Sequence, residues 1–95
     1  MINVTYKPPG ELLIEGHSRT GRKGTDIVCA GVSAIAVCVD QALGRLHLEN
    51  ETRVKDGFYR VKASGEEAEL ILFTAACGLE EIARLHPEAV KINDL

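Results

Sequence analysis

His17 and Cys29 are the two residues of this chain whose types and spacing suit covalent chemistry. A cysteine thiolate is a strong nucleophile, and an imidazole can take the thiol proton and later protonate a departing amine. Cys29 falls in or just beyond the first turn of an expected helix that starts at Thr25-Asp26. A helix start carries partial positive charge and free N–H groups. A thiol placed there loses its proton more readily, the more so beside an imidazolium. At about 100° per residue, Asp26, Cys29 and Ser33 share one helix face. His17 follows Gly16 at the end of an expected strand. Strand end, loop and helix start can meet at one point on a sheet rim, which makes His17 and Cys29 a candidate Cys–His dyad. The N–H groups of Cys29 and Ala30, or of the glycine loop, are then the expected oxyanion donors, worth about 3–4 kcal/mol each.

Each of these residues also has an ordinary structural use. A lone Cys on an apolar helix is commonly a small core residue. His17 falls on the more polar face of its strand, where a solvated imidazole is usual. Asp26 suits a helix start by charge alone, and Ser33 can bond back to the preceding turn. Cys38, nine residues after Cys29, points to roughly the opposite side of the helix, and Cys38 and Cys77 are expected in the core. His47 and His86 have no acidic or Cys partner at metal spacing, so no metal or other cofactor is expected. Gly16-His17-Ser18-Arg19-Thr20-Gly21-Arg22-Lys23 approaches a phosphate-binding loop, but Arg22 stands at the Lys position and Lys23 at the Ser/Thr position. Arg19, Arg22 and Lys23 form a small basic cluster, the basis of an alternative reading in which loop 19–24 makes the chain a non-catalytic binding module that touches RNA. A third reading is a structural dimer with an inert thiol.

The elements that must position these residues follow from the pattern. The 95 residues suit one domain, 1–95, with a modest core. The formal charge of −3 disfavours dedicated nucleic-acid binding, and three cysteines without a paired framework suit a reducing cytoplasm. The uncharged apolar run Ile27 to Val39 spans 13 residues, shorter than the ~20 needed to cross a membrane. Ile2, Val4 and Tyr6 alternate with polar residues as a strand, Pro8-Pro9-Gly10 turns, and Glu11 to Ser18 forms a second strand with Leu12 and Ile14 on one face. Thr25 is placed to cap a helix from about Asp26 to Leu43, with Gly44 as its terminator. That helix is apolar nearly all round, so a second copy of the chain is its expected cover. Leu46 to Ala63 reads as extended, with a two-residue Asp56-Gly57 hairpin turn. Ser64 to Glu67 reads as a capping box for a second helix to about His86, and Ala89 to Ile92 as a closing strand. The expectation is an α+β fold of two layers, a mostly antiparallel sheet with two helices on one face, in the order ββαββαβ.

Gly16-His17 and the segment Gly24-Thr25-Asp26-Ile27-Val28-Cys29-Ala30-Gly31-Val32-Ser33-Ala34 resemble the signature of the ribosomal-processing cysteine protease family, Prp. Eleven residues separate His from Cys in that family, as they separate His17 from Cys29. The resemblance spans essentially the whole chain. It implies a homodimeric cytoplasmic endopeptidase that removes a short N-terminal extension from a large-subunit ribosomal protein; beside it, the alternative reading of loop 19–24 becomes a non-catalytic, ribosome-associated binding module. It also implies His17 as base, Cys29 as nucleophile, and Gly16, Asp26 and Ser33 as supporting positions. The chain has Ser18 where the family usually has Ala, and its Arg19, Gly21, Arg22, Lys23 and Gly24 loop differs from relatives in a segment expected to set substrate preference.

Overall fold

The computed structural model describes residues 1–17 and 26–93. Its elements run β1 (Ile2–Lys7), β2 (Glu11–Gly16), α1 (Ile27–Arg45), β3 (Glu51–Lys55), β4 (Phe58–Lys62), α2 (Glu66–Leu85) and β5 (Val90–Asn93). This is the expected ββαββαβ order. The sheet order is β3-β4-β2-β1-β5, antiparallel throughout except for the parallel β1–β5 pair.

Period-two alternation decides which sheet face is covered. Val4, Leu12 and Val61 are fully buried and Ile2, Tyr6, Ile14 and Tyr59 nearly so, while Asn3, Thr5, Leu13 and Arg60 between them are not. The buried set joins Val28, Val32, Val39 and Leu43 of α1 and Ala68, Leu72, Ala76 and Leu79 of α2 in one core. Helix α1, of 19 residues, is long and apolar enough by length and composition to cross a membrane. One stripe of it instead packs into this core, and its Asp40 bonds Tyr59 of the sheet.

Several boundaries differ from the pattern-based expectation. Asp26, not Thr25, is the N-cap of α1, because its side chain accepts from Val28 N and Cys29 N. Strand β2 stops at Gly16. Gly44 does not end α1; it lies inside the last turn, and the left-handed residue is His47, with φ of 55°. There Leu48 N donates to Leu43 O at 2.9 Å and His47 N to Gly44 O at 3.2 Å. This is a Schellman closure with His where glycine is usual. Residues 46–50 form this exit rather than extended chain, so β3 starts at Glu51. The Asp56-Gly57 turn is as expected, with Gly57 at φ of 69°. Ser64 does not cap α2. Gly65 is its N-cap, with φ of 105° and no side-chain cap, and Glu69 Oε2 reaches back to accept from Gly65 N at 3.0 Å. Cys38 and Cys77 are exposed rather than buried, because both lie on helix faces turned away from the sheet.

The strain at His47 gives a test. A left-handed conformation costs an L-residue about 1–2 kcal/mol, offset in part by the extra unfolded-state entropy of glycine. His47→Gly raises unfolding stability by about 0.5–1 kcal/mol in urea denaturation.

Candidate active site

Gly16 and Gly57 build the floor on which His17 stands. Gly16 takes φ of 99°, and a Cβ there would run into the Met1 carbonyl oxygen. No other residue type fits both conditions. Its N–H donates to Gly57 O at 2.8 Å, joining the end of β2 to the β3–β4 turn. The His17 carbonyl accepts from Met1 N at 2.6 Å. The imidazole then lies over Gly57, where an added Cβ would sit 2.7 Å from Nε2. Strict alternation would keep His17 with Leu13 and Glu15. The strand ends at Gly16 instead, and the ring lines a cleft shared with α1. Asp56 Oδ1 is 4.0 Å from His17 Nε2 and fully solvated, a distance beyond hydrogen bonding.

Cys29 comes from the other wall. It is the third residue of α1, half-buried against the core. It lines the same 340 Å³ cleft as His17, Gly16 and Ser33. The thiol is therefore not sealed among aliphatic side chains. The cleft brings together four of the expected site residues, and Asp26 caps the helix that carries two of them. Arg19, Gly21, Arg22, Lys23 and Gly24, with Ser18 and Thr25, lie outside the described residues, as does the near-match to a phosphate loop.

The capping geometry bears on the expected oxyanion donors. Asp26 Oδ1 accepts from Val28 N and Cys29 N, each at 3.1 Å, and Ala30 N donates to Asp26 O at 3.2 Å. The N–H groups of Cys29 and Ala30 are thus already engaged. Asp26 itself has a definite job, because it holds the first turn of α1 and with it the backbone of Cys29. Pattern reading left that role open.

The cleft also contains residues that the sequence did not single out. Val54, exposed on the edge strand β3, faces Tyr59 across the hairpin. Tyr59 and Asp40 line the cleft and bond to each other at 2.9 Å. Burial, and secondarily the bond to Asp40, raises the Tyr59 phenol well above its ordinary value, so the hydroxyl remains a donor. Asp40 was detectable in principle: eleven residues after Cys29 is close to three full turns, the same helix face. Among the described residues no cluster of His, Cys, Asp or Glu suits a metal.

The sequence matches the family described as cysteine protease Prp over residues 1–91. The chain belongs to that family. A ribosomal processing cysteine protease Prp of Staphylococcus aureus is 28% identical over 101 residues, covering 97% of this chain and 95% of that protein. The fold is similar to the crystal structure of the essential ribosomal processing protease Prp from S. aureus with a covalently linked product peptide. The TM-score is 0.86, with 26% identity and coverage of 99% of this chain and 97% of that one. It is also similar to the same protease with a substrate peptide, at TM-score 0.79 and 25% identity, over 99% of this chain and 97% of that one. Membership makes the chain a cysteine protease, which decides against the binding-module and inert-dimer readings.

The contact between Gly57 and the imidazole gives a prediction. Gly57→Ala displaces the His17 ring and lowers kcat/KM for a peptide substrate by about tenfold or more. The accompanying loss of stability is about 1 kcal/mol, from the positive φ. Peptide cleavage assays with parallel denaturation curves separate the two effects.

Proposed function

We propose that the chain is an endopeptidase that removes the N-terminal extension of a large-subunit ribosomal protein by a Cys29–His17 dyad and an acyl-enzyme. Support comes from family membership over residues 1–91 together with one observation of geometry: the side chains of His17 and Cys29 line one cleft from opposite walls. His17 takes the Cys29 proton, and the thiolate sulfur attacks the scissile carbonyl carbon. The tetrahedral intermediate collapses as the C–N bond breaks, and His17 gives its proton to the departing amine. Water, deprotonated by His17, then attacks the thioester, and the acid product leaves as the thiol reforms. Gly16 and Gly57 fix the imidazole, and Asp26 fixes the first turn beneath the thiol. Ser33, one turn after Cys29, forms part of the cleft wall. Residues 19–24, between the two reacting groups in sequence, supply substrate contacts. The reaction needs no metal or cofactor.

The working form in this proposal is a cytoplasmic homodimer through α1. The supporting observation is that only four residues of this apolar 19-residue helix are buried, while Ile27, Ala34 and Cys38 stand exposed on the side away from the cleft. Sedimentation equilibrium reads the assembly: wild type runs as a dimer and Ala34→Glu, on an exposed position of α1, as a monomer.

The decisive experiment uses the full-length precursor of the ribosomal protein and mass measurement of its products. Wild type releases one short N-terminal peptide, and His17→Ala loses at least about a hundredfold in rate. Cys29→Ala leaves the precursor intact while keeping the wild-type unfolding curve. Cleavage that persists in Cys29→Ala overturns the proposal.

A further inference from the structure

One carboxylate in the cleft is unused by this chemistry. Asp40 lies eleven residues after Cys29, on the same face of α1 and about 16 Å further along its axis. Ser33 and Ala36 lie between them on the same wall. The remaining lining near Asp40 is mainly apolar, and the other charges of the cleft, Lys55 and Asp56, belong to the β3–β4 turn end. Asp40 Oδ1 accepts from the Tyr59 hydroxyl at 2.9 Å, and Tyr59 is only 6% exposed. The bond locks the carboxylate in place, since Tyr59 sits in the sheet between Ile14 and Val54. Among the described residues no cation is paired with Asp40. An acceptor held rigidly in a mainly apolar wall discriminates between cationic, neutral and anionic side chains of a bound peptide.

We propose that Asp40, held by Tyr59, is a specificity residue that takes a basic side chain of the substrate peptide. This rests on the reading of His17 and Cys29 as the reacting pair, which places the scissile bond at the Cys29 end of the cleft. A peptide in extended form advances about 3.3 Å per residue, so the basic side chain stands about five residues from the scissile bond. The residues between lie against Val54, Val37 and the floor of the cleft.

The test walks a single Lys, and separately a single Glu, along one peptide substrate on both sides of its scissile bond. Values of kcat/KM are measured for wild type, Asp40→Asn, Asp40→Lys and Tyr59→Phe. In wild type the Lys peptide is preferred over the Glu peptide about tenfold at one position about five residues away. Asp40→Asn brings that ratio to about one, Asp40→Lys inverts it, and Tyr59→Phe reduces it while the protein stays folded. Equal Lys and Glu rates at every position in wild type overturn the proposal. So does an Asp40→Asn variant that slows all peptides alike, which is the signature of a purely structural bond. Should the Asp40 variants fail to fold, Tyr59→Phe decides: a folded variant with an unchanged Lys-to-Glu ratio overturns the proposal. Cleavage that survives Cys29→Ala sinks the catalytic pair instead, and the Lys-to-Glu ratio still judges Asp40 by itself.

Discussion

The last hydrogen bond along the β2–β4 pairing, from Gly16 N–H to the Gly57 carbonyl, joins the two pieces of chain on which the imidazole depends. One comes from the N-terminal hairpin and the other from the turn of the second hairpin. Neither would hold His17 alone: Gly16 only ends the strand, and Gly57 only turns it. Joined, they let the ring lie against a backbone without a Cβ, on a surface that cannot rearrange without breaking the sheet end. The requirement for glycine at both places is steric. At Gly16 the obstacle is the Met1 carbonyl, and at Gly57 it is the imidazole itself.

The thiol side of the cleft is built by a different means. Here the constraint is the unsatisfied start of a helix. Asp26 takes the N–H groups of Val28 and Cys29 on one oxygen, so the capping that starts α1 also orients the residue carrying the sulfur. This arrangement has a cost for chemistry. A carboxylate at the helix start offsets part of the positive end of the backbone dipole, and the cap occupies donors that an oxyanion would otherwise use.

How much of this was legible in the sequence depended on whether the determining contact was local. Alternation in Ile2 to Tyr6 and Leu12 to Ile14 exposed the covered face, and Asp56-Gly57 exposed the second hairpin. The stretch around His17 and Cys29 carried enough pattern to suggest both chemistry and family. Helix ends were less readable. His47, not Gly44, adopts the left-handed conformation, because Leu48 folds back to bond Leu43. Ser64 lost its capping role because the chain enters α2 through Gly65. The contacts between His17 and Gly57 and between Asp40 and Tyr59 were hidden for one reason. Both are tertiary: the first requires β2 to lie beside β4, and the second requires α1 to pack over β4, elements not adjacent in sequence. Cys38 and Cys77 read as core by residue type alone, and on the nearly all-apolar α1 one sequence does not say which way Cys38 turns.

In a domain this small, the core and the cleft draw on the same residues. Ile2, Ile14, Val32 and Tyr59 are nearly buried, yet all four line the cleft. A peptide laid along α1 would therefore pack against side chains already fixed by folding, and little ordering remains to be done on binding. The same sharing limits what can change. A larger residue at Val32 or Ile14 would alter the cleft only by straining the core, since close-packed interiors accept extra volume poorly. Positions on the rim, such as Val54 and Val37, are exposed and carry no such constraint. Adaptation to a different peptide is thus expected at the rim, while the floor beneath His17 and Cys29 stays as the fold requires it.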